Sequence, residues 1–264
     1  MIVRVHGFSW LAYGQQVMPA LACWLLSQDE HLIYQLYQQT RCAREEQCMP
    51  PPLRSLSTWS RALSFVQQLP LNAHARSEYE HLCSPERFTT TSDRYVYRHP
   101  PQLIQSSEAL RTLWGALIET YCLPWPLAET NADEPTGVVI GRLPTTLHIR
   151  GWLATISVRA MSLFELLACE RRCMPFGCQP GTPFSSFAGY LTPDEVQHLA
   201  FCLRDVQPPN QALAVLDYQR FRQQINDHTT FRMIDEVLPL HADAFISAVH
   251  LAAQQGIGLI CSIG

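Results

Sequence analysis

Residues 241–263 read HADAFISAVHLAAQQGIGLICSI, and this stretch decides the fold class of the 264-residue chain. Apolar side chains recur at helical spacing over residues 241–255, which predicts an amphipathic helix. Gly256 suits the left-handed position that commonly follows the last turn of a helix. The apolar run 257–263 then predicts a buried strand. A helix followed directly by a strand indicates a fold that mixes both.

A second strand pattern lies at the start of the sequence. Residues 2–9, IVRVHGFS, alternate between apolar and polar side chains, as half-buried strands do. Their apolar character is similar to that of residues 257–263, so we expect the two strands to pair. Helical patterns occupy most of the sequence between them. We therefore predict an α+β fold, predominantly helical, with a small sheet including the N- and C-terminal strands.

Several signals mark the elements between these strands. One apolar stripe over residues 107–122 predicts the clearest amphipathic helix. Thr192-Pro193-Asp194-Glu195 combines a threonine N-cap, a proline at the first helical position and a glutamate that completes a capping box. Ser27-Gln28-Asp29-Glu30 predicts a second capping box. Residues 147–156 are strand-like or mixed, and residues 173–193 form the longest irregular stretch.

The chain length is typical of one large domain or two small ones. We predict a single globular domain over residues 1–264. The segment 84–106 is polar and interrupted by proline, so a subdivision there is the alternative. Weaker helical patterns lie near residues 211–225 and 227–238.

The overall charge narrows the classes of partner. The net charge is −4 at pH 7 and the isoelectric point is near 6.2, whereas nucleic-acid-binding domains usually carry a basic surface. No stretch approaches the roughly 18 apolar residues that a membrane-spanning helix needs. Gly14-Gln15-Gln16 interrupts the apolar run that a signal peptide requires. We therefore expect no nucleic acid and no membrane as partners, and a cytoplasmic location.

Cysteine and lysine usage narrow the chemistry. The ten cysteines lie mostly in apolar patterns, as Cys23, Cys122 and Cys202 do, which is typical of buried free thiols in a reducing cytoplasm. All 19 basic residues are arginine, so the chain is lysine-free. Two explanations stay open: a GC-rich genome, or avoidance of chemistry directed at lysine amines. Either way, a Schiff-base lysine and a P-loop lysine are excluded.

Three sets of residues are candidates for chemistry. Cys169, Cys173 and Cys178, with His198 and Cys202, are spaced more loosely than the paired ligands of structural zinc sites. The Cys173 thiol follows two arginines that favour a thiolate, but ten cysteines and ten histidines make chance pairing easy. Adjacent carboxylates occur where helix starts and loops already explain them. We therefore predict no catalytic, metal or cofactor-binding residues and no cofactor.

Two loops are candidates for contact with another protein. The first is acidic, and the second places arginine and aromatic residues among proline and glycine. Such a loop either tucks its aromatic side chains into the core or presents them as anchors, since arginine and aromatic residues are the usual anchors of interfaces. The predicted contact residues are Glu129, Asp133, Glu134, Arg171, Arg172, Phe176, Phe184 and Phe187.

Residues 188–196, AGYLTPDEV, resemble an element of the form G-Y-L-T-P-x-E-V in a group of uncharacterised bacterial domains. The group also has a central helix similar to residues 113–119 and a closing helix and strand similar to residues 245–260. The resemblance covers about the C-terminal 60% of the chain, and the N-terminal third departs from it. Such domains are often encoded near polymorphic toxins or secretion systems, which implies an immunity or accessory role. No catalytic residues follow from this resemblance.

We therefore expect a bacterial cytoplasmic binding protein, and specifically an immunity protein that occludes the active site of a cognate toxin. A mildly acidic surface complements a basic toxin domain and speeds its capture. The sequence favours a role without catalysis. An enzyme of unrecognised type, and an accessory or chaperone component of a secretion or defence assembly, are the alternatives.

Overall fold

The computed structural model describes residues 2–50, 57–83, 107–125, 137–142, 146–169, 171–172, 187–210 and 234–264. Within these ranges, one antiparallel sheet contains five strands. The strands are β1 (Ile2–Phe8), β2 (Cys122–Leu123), β3 (Val138–Arg142), β4 (Phe187–Leu191) and β5 (Gly258–Ile263).

Strand β1 lies at the centre of this sheet. It pairs with β5 from Val3 opposite Ile263 to Phe8 opposite Gly258. The other edge of β1 pairs with β3 near its start and with β2 near its end. Strand β4 pairs with the far edge of β5. The predicted pairing of the N- and C-terminal strands is therefore confirmed, and so is the α+β class.

Ten helices lie within the described residues, and most of them surround the sheet. They are α1 (Trp10–Ser27), α2 (His31–Gln38), α3 (Arg41–Gln47), α4 (Thr58–Gln67), α5 (Ala73–Cys83), α6 (Glu108–Thr120), α7 (Thr146–Ile156), α8 (Val158–Ala168), α9 (Pro193–Cys202) and α10 (Ile234–Gln255).

The strongest helix signals in the sequence are confirmed. Ser107 Oγ accepts a hydrogen bond from the backbone N–H three residues later, at the start of α6. Thr192 and Glu195 form the reciprocal capping box of α9, with a proline at the first helical position. Helix α10 ends just before Gly256, whose φ of 64° is the left-handed conformation expected there.

The predicted capping box at residues 27–30 is wrong. Ser27 is the last residue of α1, where its hydroxyl donates to the carbonyl oxygen four residues earlier. Gln28 then closes the helix with a left-handed φ of 60°. Helix α2 follows Glu30 without a side-chain cap from Ser27, and Asp29 Oδ1 instead accepts the N–H of His31. A serine with helical backbone angles bonds back into its own helix and cannot cap the next one.

The mixed pattern of residues 147–156 belongs to helix α7, so the strand interpretation is wrong. Ile149 and Leu153 lie four residues apart and are fully buried, which is one apolar face at helical spacing. The order of residues 147–150, LHIR, imitates the alternation of a strand over a few positions.

The end of the predicted irregular stretch forms strand β4, all five residues of which are buried. Gly189 permits this strand to lie directly against α8. A Cβ atom at Gly189 would come within 2.7 Å of the backbone carbonyl oxygen of Leu167. A short buried strand of this kind lacks the polar alternation by which strands are recognised in a sequence.

The two faces of the sheet carry separate hydrophobic clusters. Side chains alternate along β1, so Val3 and Val5 face one cluster and Phe8 faces the other. Helices α1–α6 pack with Phe8 and with Ile260 of β5. Helices α7–α10 pack with the valines and with Cys261. The sheet therefore lies between two layers of helices.

No helix in the described part of the chain is both long and apolar enough to cross a lipid bilayer. The predicted subdivision at residues 84–106 and the predicted helix at 211–225 lie outside the described residues, as does most of the one at 227–238.

Candidate functional site

The structure places three of the eight predicted contact residues. The five that lie outside the described residues are Glu129, Asp133, Glu134, Phe176 and Phe184. Of the remaining three, Arg171 is exposed at the surface, whereas Arg172 and Phe187 are engaged inside the fold.

Arg172 forms a bidentate ion pair that joins two elements. Its Nη1 and Nη2 atoms lie 2.7 and 2.5 Å from the two carboxylate oxygens of Glu195, in the first turn of α9. Nη1 also donates to the carbonyl oxygen of Tyr190 in β4, and the guanidinium lies over the Tyr190 ring. Burial opposes ionisation, but the hydrogen bonds and charge of Arg172 hold the pKa of Glu195 below its ordinary value. Arg172 therefore ties β4 to α9.

Phe187 belongs to the core. It begins β4, is 4% exposed and packs in the same cluster as Tyr190. Of the two alternatives for the aromatic residues of this loop, these two follow the one in which the rings tuck into the core.

Two large apolar side chains are exposed where α8 begins and α9 ends. Ser157, which caps α8, directs its hydroxyl toward the thiol of Cys202, the last residue of α9, at 4.0 Å. The neighbouring residues Val158 and Phe201 are 71% and 67% exposed. The guanidinium carbon of Arg204 lies 4.9 Å from the centre of the Phe201 ring. We refer to Val158, Phe201 and Arg204 as the helix-end surface.

The exposed face of α9 connects this surface to the opposite end of the helix. Asp194, His198 and Phe201 are all exposed and follow each other at helical spacing. Since a ten-residue helix is about 15 Å long, the helix-end surface and the ion pair of Arg172 lie about that far apart. One protein partner could therefore cover both the helix-end surface and the end of α9 that carries the ion pair.

A histidine and a serine meet on the sheet face that α1–α6 cover. His6 Nε2 lies 2.8 Å from Ser262 Oγ, and His6 is 2% exposed while Ser262 is half-buried. The register brings them together, because Arg4 lies directly opposite Ser262 and His6 is the next residue of β1 on the same face. A serine hydroxyl beside an imidazole is the arrangement from which a nucleophile is activated.

The position of the proton on the His6 ring argues against Ser262 as an activated nucleophile. A neutral imidazole has one N–H, and His6 Nδ1 is buried without a hydrogen-bond partner among the described residues. A buried N–H without an acceptor is rarer than an unpaired acceptor, so we assign the proton to Nε2, which then donates to Ser262. Burial and the charge of Arg4 lower the pKa of His6 to about 4, which makes the ring a weak base. The pair joins β1 to β5.

A half-buried carboxylate connects three helices of the layer formed by α1–α6. Glu46 of α3 accepts hydrogen bonds from Tyr37 Oη of α2 and from the backbone N–H of Thr58 at the start of α4, both at 2.6 Å. Burial, together with the hydrogen bonds to Cys42 and Glu46, raises the pKa of Tyr37. These side chains hold α2, α3 and α4 together, and this structural role accounts for the grouping of Glu46, Tyr37 and Cys42.

The cysteine cluster is only partly placed. Cys173 and Cys178 lie outside the described residues, while Cys169 and Cys202 are half-buried and His198 is exposed. In the described part of the chain, no group of three or more histidine, cysteine, aspartate or glutamate residues is arranged to hold a metal ion. The eight cysteines described there are free thiols.

Comparisons with protein-family models, curated proteins and solved structures gave no match to this chain. Its function is therefore inferred from the residues and their geometry.

Sequence patterns did not reveal the two most informative arrangements. The contact of His6 with Ser262 depends on strand register, which alternation within each strand does not fix. The exposure of Phe201 had a signal: it lies off the apolar stripe that Val196 and Leu199 form on the same helix. A large aromatic residue on the polar face of an amphipathic helix is a candidate contact residue.

Proposed function

We propose that this chain is a binding protein that recognises another protein through the helix-end surface and the exposed face of α9. The exposure of Val158 and Phe201 at adjoining helix ends carries the proposal. Exposed apolar side chains that share one surface are typical of interaction sites. The stacking of Arg204 on Phe201 adds to this, because aromatic and arginine residues dominate the binding energy of protein interfaces.

Burial of these side chains would supply the affinity. Fully burying a valine or phenylalanine side chain contributes roughly 1.5–3 kcal/mol. Two side chains cover far less than the ~800 Å² that each partner gives to a standard interface. The contact therefore extends along α9 through His198 and Asp194 toward Arg171.

We further propose that the partner is a toxin domain whose active site the chain occludes in the bacterial cytoplasm, without nucleic acid or a cofactor. The net charge of −4 supports a basic partner, because complementary charge speeds encounter. Glu129, Asp133 and Glu134 remain predicted contact residues for such a partner. The resemblance of residues 188–196 to domains encoded near toxins supports the same role, since these residues form β4 and the start of α9.

Co-expression with the products of neighbouring genes tests this proposal. Each neighbour is expressed alone and together with this chain. We expect one neighbour to be toxic alone, to be neutralised by this chain and to co-purify with it. Val158→Asp combined with Phe201→Glu is the disrupting variant. Leu11→Glu is the matched control, because Leu11 is 72% exposed on α1, which packs in the layer of helices on the other face of the sheet from α8 and α9.

The outcomes separate the parts of the proposal. If no neighbour is toxic alone or co-purifies, the immunity role is wrong. If a complex forms and the disrupting variant binds as tightly as the wild type, the assigned surface is wrong. Strong self-association of the chain alone would favour the accessory or chaperone alternative.

A further inference from the structure

We propose that His6 is an acid-sensitive latch of the sheet: when its imidazole takes up a proton, the pairing of β1 with β3 loosens while the pairing of β1 with β5 persists. This inference is independent of the proposed binding function. The proposal follows from the tight enclosure of the His6 imidazole and from its small number of hydrogen-bond partners.

The ring is enclosed from two sides. Gly137, the residue before β3, lies so close that a Cβ atom there would come within 2.7 Å of both ring nitrogens. On the side of β5, Nε2 is hydrogen-bonded to Ser262 Oγ. With the ring 2% exposed, the site fits a neutral imidazole that donates one hydrogen bond.

Protonation adds a donor that this site does not satisfy. An imidazolium has an N–H on both nitrogens, and Nδ1 is buried with no acceptor among the described residues. A buried donor without an acceptor is costly. To reach water or another acceptor, Nδ1 needs space beside the ring, and Gly137 lies against the ring edge that carries both nitrogens.

The surrounding charges also oppose protonation. Arg4 lies on the same strand and the same face, and its positive charge disfavours the imidazolium. The facing strand β5 offers the uncharged hydroxyl of Ser262. Ile260 of β5 lies opposite both His6 and Tyr190 of β4, and the cation of Arg172 is stacked on the Tyr190 ring. The described strands around the ring thus present cations and hydroxyl groups.

The pairing of β1 with β3 is the part of the sheet that loosens first when His6 is protonated. Strand β3 pairs with β1 at four positions, with an irregularity between Val3 and Arg4. Strand β5 pairs with β1 at six consecutive positions in unbroken register. Since Gly137 leads directly into β3, its movement away from the ring disturbs β3 before β5.

NMR spectroscopy of the full chain tests the latch. The ¹³C and ¹⁵N shifts of the His6 ring are assigned by comparison with His6→Gln and followed from about pH 7.5 to about pH 4. Amide hydrogen exchange, corrected for its intrinsic pH dependence, is measured over the same range. We expect the ring to stay neutral well below the pH at which a free histidine titrates. Exchange of the β3 amides should then rise about tenfold or more as the ring protonates, with a smaller rise in β5.

Two variants make the test specific. His6→Gln retains an N–H for Ser262 and does not titrate, so the acid-dependent loosening of β3 should disappear. His31→Gln, at an exposed histidine of α2, should retain it. The latch is refuted if the wild-type ring titrates like a free histidine while β3 exchange stays constant, or if β3 loosens equally in His6→Gln. Should His6→Gln not fold, the ring is assigned by through-bond correlation, and the wild-type titration and exchange data decide alone.

Discussion

Glu46 is the residue on which the packing of α2, α3 and α4 converges. Its carboxylate accepts from Tyr37 Oη and from the N–H of Thr58, two residues that are 1% and 6% exposed. Removing the carboxylate leaves both donors without this acceptor. A buried donor without a partner costs about 1–3 kcal/mol.

We expect Glu46→Ala to lower the free energy of unfolding by about 2–4 kcal/mol, as measured by urea denaturation. Glu45→Ala is the matched control, because it removes an exposed pair with Arg41 that contributes about 0.5 kcal/mol or less. Similar losses in the two variants would contradict the role assigned to Glu46.

His6 and Glu195 give the folded chain two separate acid sensitivities. The pKa of His6 is lowered from 6.5 to about 4, so the unfolded chain binds this proton first, and stability falls as the pH drops from 6.5 toward 4. The pKa of Glu195 is lowered from 4.5, chiefly by Arg172 acting against burial. Its contribution is complete above about pH 4.5 and is lost as the pH falls through the folded-state pKa.

We expect the urea midpoint of the wild type to fall in both pH ranges. Glu195→Gln should flatten the dependence below about pH 4.5 and leave the loss between 6.5 and 4 intact, since the two groups titrate separately. His6→Gln should do the reverse. A midpoint that is constant between pH 6.5 and 4 would show that His6 is not held in its neutral form.

At the scale of elements, periodicity and capping chemistry correctly predicted those helices whose apolar spacing and cap residues lie within a single segment of the sequence. The stripe over residues 107–122 and the box at Thr192 are examples, because spacing and cap chemistry are complete within the segment. The box at Ser27 failed because α1 continues through that serine, which local sequence does not reveal. Strand β4 was missed because its burial comes from α8 and β5, both distant in sequence.

The close contact of β4 with α8 lets us predict how a substitution at Gly189 changes the stability of the fold. Gly189→Ala places a Cβ atom against the backbone of Leu167, so we expect a loss of about 1–3 kcal/mol in the free energy of unfolding. Gly115→Ala is the control, because this helical glycine of α6 has open space around it and should gain about 0.5–1 kcal/mol. Thermal denaturation of the two variants should therefore shift in opposite directions. A neutral Gly189→Ala would mean that β4 does not approach α8 this closely.

At the scale of the whole molecule, the sequence predicted the fold class and the pairing of β1 with β5. Both strands are apolar and their shared register buries Val3, Val5 and Cys261 on one face. Which helices cover which face depends on tertiary packing, and so does the approach of the start of α8 to the end of α9, where Val158 and Phe201 are exposed. The protein contact with arginine and aromatic anchors stays a prediction. Two of its predicted anchors, Arg172 and Phe187, have internal roles instead.

The central claim is tested most directly by isothermal titration calorimetry of the chain with the proposed partner, once co-expression has identified it. With Val158→Asp and Phe201→Glu combined, we expect the Kd to rise about 30-fold or more, because a central interface anchor contributes about 2 kcal/mol or more. Leu11→Glu should bind like the wild type. A Kd unchanged in the double variant, or raised equally by Leu11→Glu, would contradict recognition through the helix-end surface.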